Sequence, residues 1–422
     1  LRLAWLSVAI HAKTGYGRMS SEIVSRLMEN HEVVSMANEG AIPMWGNEKE
    51  TPLPDGKMLK TLWIPDPQTQ VAQTAALVNA YCQTKKIDLI IAHIDAFCLD
   101  FLHQVNTPYI EYVPVDSAMT PKWAGFMRGA NKAVLFSWYG YEQARRFLPA
   151  SDLAYIPHGI DCSVFKPSDK SKATLRSEMA EKHTGVIPAD AFLMAYTGAN
   201  MGPRKNMPLL LRTFAKFAER HADAHIFLHT NVNATGHGYH LGEIISDLGI
   251  KDRVHYPKLS PVTDAITDAE FARLYNASDV FVSASSGEGF GLPLAEAAAC
   301  GLPPIAPANS SQTELVKGHG WLVDCIDPEV YVDYPSYVPT DNFYHPPDAR
   351  SLLAKMEEAY AKPETREWLG KRAREFALGY DWGLLMPKWE RLLAEAESEI
   401  GRGRSFKEVM QGVTVDMRFS QA

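Results

Sequence analysis

Cysteine is scarce: Cys82, Cys98, Cys162, Cys300 and Cys325 are the only five in 422 residues. They are odd in number and scattered, with no C-x-x-C, which argues against a disulfide framework or a zinc knuckle and for a reducing, cytoplasmic setting. No apolar run approaches the ~20 residues that span a bilayer, and segment 1–10 is too short and alternating for a signal peptide. The expectation is a soluble protein, at most resting on the inner membrane face. Basic residues are outnumbered, 42 Lys and Arg against 50 Asp and Glu, giving a net charge of −8. That balance argues against a nucleic-acid partner, since a phosphate backbone selects a basic surface. No internal repeat, low-complexity tract or EF-hand loop is present, and no Asp-x-Asp lies at a strand end to anchor magnesium on phosphates.

What is present is alternation. A chain of this length exceeds what one core usually organises, so two domains are expected. Short β-branched or aromatic runs predict strands at 2–9, 32–37, 88–93, 108–113, 132–136 and 153–157, with helices at 17–29, 69–85 and 138–148 between them. A second series begins at 191, with strands at 191–197, 225–229, 252–256, 279–283, 303–306 and 320–323. Helices are predicted at 207–220, 347–360 and 363–378. The polar stretch 167–172 reads as the linker. This is an α/β chain of two facing doubly wound parallel sheets with a cleft between them: domain one at 1–165, domain two at 166–380, and an amphipathic helix with a tail at 381–422. Ligands of such sheets sit beyond the carboxyl ends of the strands.

The densest chemical signal runs from 281 to 306: a strand, the turn Ser285-Ser286-Gly287-Glu288-Gly289-Phe290-Gly291, then a helix bearing Glu296. The amides of Gly289, Phe290, Gly291 and Leu292 open a helix N-terminus, where the unpaired N–H groups and the dipole favour an anion such as phosphate. Glu288 and Glu296 stand about one turn apart in height, and each carboxylate can take a vicinal diol through charge-assisted hydrogen bonds. A sugar, a diphosphate and a ribose in sequence would use every part; an ordinary strand-to-helix connection would use only the glycines. Opposite, the loop 198–206 carries Arg204 and Lys205, cations suited to neutralising a leaving diphosphate. The first domain offers Gly15 and Gly17 after its first strand, a G-x-G without the third glycine of a dinucleotide fingerprint. His11, Lys13 and Arg18 flank them and also fit surface positions.

Glu288-x7-Glu296, spelled EGFGLPLAE and followed by AAACGLPPIA, resembles the paired-glutamate signature of the retaining glycosyltransferases of family 4, which have the GT-B fold of two Rossmann-like domains. The resemblance extends through 274–280, Glu314-Leu315-Val316 and Gly318-His319-Gly320, and covers most of 1–400. It implies a hexosyltransferase that uses a nucleoside-diphosphate sugar, without further cofactor or metal, by front-face substitution in which the leaving phosphate takes the acceptor's proton. In that reading Glu288 holds sugar hydroxyls and Glu296 the ribose. Arg204 and Lys205 hold the diphosphate, Gly15 and Gly17 approach the donor phosphates, and Tyr256 and Lys258 pack near the base. The segment 155–161, with His158 and Asp161, resembles a hinge, and 381–400 braces the first domain.

Two positions depart from the pattern: Ala199 stands where an arginine is expected, with Arg204 as its replacement, and Asp116 stands where many members have a histidine. Asp116 serves donor sugar or acceptor in one reading and caps the helix near Thr120 in the other. His93 is the nearest histidine by pattern. The acceptor is a hydroxyl of a sugar, a lipid-linked group or a small molecule. The aromatic and basic stretch 119–132 fits a membrane surface, though a packed helix with a solvated face is the favoured reading. A non-catalytic sugar-nucleotide-binding regulator, a phosphorylase and a sugar-nucleotide epimerase are the competing assignments.

Overall fold

The computed structural model describes residues 1–38, 45–180, 182–233, 238–258, 266–326 and 344–400. The first sheet contains β1 (Arg2–Val8), β2 (Glu32–Asn38), β3 (Glu48–Pro52), β4 (Met58–Trp63), β5 (Leu89–His93), β6 (Tyr109–Val113), β7 (Lys132–Leu135) and β8 (Leu153–Tyr155). Its strand order is β3-β4-β2-β1-β5-β6-β7-β8. The second sheet contains β9 (Phe192–Thr197), β10 (Ala224–His229), β11 (Val254–His255), β12 (Val280–Val282), β13 (Pro304–Pro307) and β14 (Trp321–Val323), parallel throughout in the order β11-β10-β9-β12-β13-β14.

The expectation of a purely parallel first sheet needs correction. β3 runs antiparallel to β4, and neither strand was predicted. They are joined at Asp55-Gly56, where Gly56 has φ +85° and Asp55 accepts a hydrogen bond from the Lys57 amide at 3.1 Å. Glu48, Lys49 and Glu50 line this outer strand, where charge discourages further strand pairing. The polarity that protects the edge hid it from a search for apolar alternation.

The central strands of both sheets are buried on both faces, which is why they read as continuous apolar runs. Along β1, Leu3 and Trp5 enter one core while Ala4 and Leu6 enter the other. The helix Met207–Ala218 places Met207, Leu210, Leu211, Phe214 and Phe217 on one stripe, all fully buried against the second sheet. Strand order reverses beside β1 and β5 in one sheet and beside β9 and β12 in the other, so the loops after these four strands form the sides of one cleft.

The helix Trp382–Ile400 returns to the first sheet: Trp389 is buried with its ring 6.2 Å from Trp5 and 4.9 Å from Tyr112, and Glu390 accepts from Asn30 at 3.1 Å. At the crossing, Gly159 has no room for a side chain, since a Cβ there would lie 2.2 Å from the Trp382 ring. Asp161 fixes the neighbouring turn by accepting from the Ser163 and Val164 amides. Residues 401–422 lie outside the described residues. In 119–132, Trp123, Met127 and Lys132 are buried, with the Lys132 ammonium on the Ser151 carbonyl at 2.6 Å. Most of that aromatic and basic character is therefore core, and Lys122 and Arg128 are its exposed cations.

Buried histidines set an acid limit. Burial lowers His225 to about 4 and His93 to about 3, and it depresses His255 and His158. The His225 and His255 rings also share a 2.9 Å hydrogen bond, which two imidazolium ions could not make. Because the folded chain favours the neutral forms, their stabilisation is complete above the unfolded histidine pKa of about 6.5 and is lost as pH falls toward 4. The melting temperature is expected to fall steadily between pH 7 and pH 5, with a shallower fall in His225→Asn; a flat profile in wild type would contradict this.

Candidate active site

The turn after β12 is shaped by what faces it. A Cβ on Gly287 would lie 2.0 Å from the Asp116 carbonyl oxygen, and one on Gly289 would lie 2.6 Å from Pro114, so two glycines let this turn press on the loop after β6. Gly291, at φ +101°, turns the chain into the helix Leu292–Ala299, with Pro293 in its first turn. The turn is tied to the loop after β9 through the Ser286 amide on the Arg204 carbonyl at 2.7 Å and the Asn206 amide group on the Ser286 hydroxyl at 2.6 Å.

This tie brings Glu288 to the basic pair. Lys205 donates to Glu288 Oε1 at 2.5 Å, and Arg204 lies 3.4 Å from Oε2 while donating to the Gly287 carbonyl at 2.8 Å. Burial pushes the Glu288 carboxyl up, but Lys205 and Arg204 outweigh it and hold it below the usual carboxylate range. Burial lowers the Lys205 ammonium, with Glu288 opposing. Beside the pair is a small cavity of about 20 Å³, lined in part by Tyr196, Thr197, Lys205, Glu288 and Gly291.

Glu296 forms a second ionic centre. It is 2% exposed, accepts from Arg18 at 2.6 Å and takes the Tyr275 hydroxyl at 3.2 Å; Arg18 also meets Asp268 at 2.9 Å. Burial raises the Glu296 carboxyl and Arg18 opposes it. Arg18, which fitted a surface position in the sequence, instead reaches across from the helix Gly15–Leu27. Its place in the first turn after the Gly15-Tyr16-Gly17 loop at the end of β1 was the available signal.

Asp116 is not a helix cap: Thr120 caps Pro121–Met127 by accepting from the Trp123 amide. The carboxyl of Asp116 lies 3.8 Å from Arg204 and 3.3 Å from the Tyr344 hydroxyl, and its buried Oδ1 has no hydrogen-bond partner among the described residues. Burial raises its pKa against the pull of Arg204. Asp95, after β5, is a neighbour that the sequence reading missed. Burial and the charge of Asp116 raise it to about 6, while it accepts from the Tyr16 hydroxyl.

The remaining candidates are placed as follows. Gly15 begins the first helix with open space where a Cβ would stand, whereas Gly17 is packed so that a Cβ would lie 2.1 Å from the Ala12 carbonyl oxygen. Phe290 is buried between the halves, 5.2 Å from His158 and 5.7 Å from Tyr380, so only its backbone can face a ligand. His93 is fully buried and receives or gives a hydrogen bond at Ser20. Tyr256 and Lys258 follow β11 at the sheet edge, where their backbones pair with Thr184 and Lys182. They join neither ionic centre in any described contact. Among the described residues no three His, Cys, Asp or Glu side chains converge as metal ligands.

In overall architecture the chain is similar to sucrose-phosphate synthase from Thermosynechococcus elongatus, with a TM-score of 0.71 at 18% identity over 94% of this chain and 99% of that one. It is also similar to Anabaena HepE in complex with UDP and glucose, with a TM-score of 0.68 at 17% identity over 93% and 99%. These likenesses define the fold as GT-B. Residues 185–376 match the family described as glycosyl transferases group 1. Curated relatives include proteins named D-inositol 3-phosphate glycosyltransferase from Kineococcus radiotolerans, 26% identical over 60% of this chain and 52% of that one, and from Kribbella flavida, 29% identical over 59% and 51%. The chain spans about half the length of these relatives.

Removing Arg18 leaves Glu296 as a buried charge with only a hydroxyl partner. Arg18→Met is expected to destabilise the protein by roughly 2–4 kcal/mol, reduced from the full burial case by the partial exposure of Arg18. Adding Glu296→Gln should recover at least half. Urea denaturation of the two single variants and the double variant checks this, and additive effects would count against the pairing.

Proposed function

We propose that the chain is a retaining glycosyltransferase that moves a hexose from a nucleoside-diphosphate sugar to an acceptor hydroxyl. The observation that carries this reading is the Lys205–Glu288–Arg204 cluster at the mouth of the helix Leu292–Ala299. When the glycosidic bond breaks, charge develops on the leaving phosphate oxygen, and preorganised cations with a helix N-terminus lower that barrier without reorganising at the moment of reaction. Glu288, held ionised, accepts sugar hydroxyls and keeps the two cations in register. Glu296 accepts the ribose diol, sharing its carboxylate with Arg18. The leaving phosphate takes the acceptor's proton, and the chain supplies position and charge rather than a nucleophile.

The fold neighbour bound to UDP and glucose supports a uridine nucleotide as the first donor to test. The division at 165/166 and 380/381 makes the cleft an interdomain one whose closing excludes water. Asp116, beside Arg204 and Glu288, is placed to accept a hydroxyl of the sugar or the acceptor. We further propose metal-independent turnover in the cytoplasm, so a chelator should leave the rate unchanged.

Lys205→Ala is expected to lower kcat about 10²–10³-fold, the range for losing one preorganised charge-stabilising group, with a smaller change in donor affinity. Kinetics with UDP-hexoses and a panel of hydroxyl acceptors, with the product anomer read by NMR, provide the check. Tight nucleotide binding by wild type without turnover on any acceptor would make the chain a binder rather than an enzyme, and an inverted anomer would overturn the retaining step.

A further inference from the structure

Tyr196 is the penultimate residue of β9; its ring packs in the core of the second sheet, but its hydroxyl has no structural use that the described residues show. The side chain is 2% exposed and its hydroxyl has no hydrogen-bond partner among the described residues. That hydroxyl lies beneath the turn at Gly198, where a Cβ would approach it to 2.8 Å. Tyr196 also lines the small cavity that it shares with the polar residues Lys205, Glu288 and Ser283 and with Gly291 at the helix start. A buried hydroxyl without a partner destabilises a fold, and phenylalanine would fill the same volume without that penalty. A bound ligand oxygen can supply such a missing partner.

The surroundings limit what that partner is. Lys205 and Glu288 are already joined at 2.5 Å. Burial and the negative charge of Glu288 keep the phenol protonated, so it acts as a hydrogen-bond donor toward an oxygen entering from the helix side. The two cations that neighbour this space favour an anionic oxygen.

We propose that the Tyr196 hydroxyl donates a hydrogen bond to a phosphate oxygen of the bound nucleoside diphosphate, as an uncharged member of the site that Lys205 and Arg204 make cationic. This rests on the donor-site reading above and extends it to a residue outside the glycine turn and the basic pair. Tyr196 is here a positioning and affinity residue.

The test is Tyr196→Phe, with calorimetric titration of UDP and UDP-glucose against the full chain and thermal melts without ligand. The expected result is a 5- to 30-fold loss of affinity for both nucleotides, with an unliganded melting temperature equal to or above that of wild type. Affinity for UDP within twofold of wild type overturns the proposal, and a loss confined to UDP-glucose assigns the bond to a sugar hydroxyl and overturns it equally. A lowered unliganded melting temperature overturns it too, because the hydroxyl would then have a partner in the protein. If wild type binds neither nucleotide, the donor-site reading itself falls and this inference with it, whereas wild-type binding unaffected by the substitution removes this inference alone.

Discussion

Two carboxylates drawn out of water in one cleft, Glu288 and Glu296, require cationic partners, and the rest of the site is arranged around that requirement. Glu288 without Lys205 and Arg204, or Glu296 without Arg18, would be a charge out of water with nothing to offset its desolvation. The partners come from two different segments: Lys205 and Arg204 from the connection after β9, Arg18 from the helix after β1. The strand orders supply these loops. With β1 beside β5 and β9 beside β12, the connections that leave the reversal points meet over one space.

The same compensation joins the two halves. Arg18 crosses to Glu296 and Asp268, Arg204 approaches Asp116, and Glu314 accepts from the Trp138 and Tyr139 amides at 2.9 and 2.8 Å. Burial raises the Glu314 carboxyl to about 7 even though the two amides favour its charged form. The steric counterpart is the glycine turn, where Gly287 and Gly289 admit the loop after β6 to distances that no side chain would allow. In the proposed donor site a diol at Glu296 would share the carboxylate with Arg18, so that nucleotide binding would draw on the same contacts that join the halves. The first-sheet side adds Asp95 and Asp116, which give the cleft an acidic wall facing the basic pair.

Much of this was legible in the chain itself because the central strands are buried on both faces and spell continuous apolar runs. Glu288, Glu296 and the glycine turn are contiguous, so their geometry follows from one strand, one bend and one helix. What the chain concealed depends on distance in sequence. Arg18 and Glu296 are 278 residues apart, and nothing local marks that arginine as a cleft residue. Asp95 lies in an irregular segment with no motif around it, and the β3–β4 hairpin is polar where a search for strands looks for apolar alternation. Asp116 followed by Ser117 reads as a cap until Thr120 is seen to hold that place. Phe290 sits inside the glycine signature, yet its ring belongs to the core between the halves.

The claim on which the account turns is that Lys205, Arg204 and the helix start hold a diphosphate while Glu296 holds a ribose. A crystal structure of the chain soaked with UDP tests it most directly. The account predicts phosphate oxygens within hydrogen-bond distance of Lys205 and of the amides at Gly291 and Leu292, with the ribose hydroxyls on Glu296. A nucleotide bound elsewhere, or one in this cleft with its diphosphate turned away from Lys205, would contradict it.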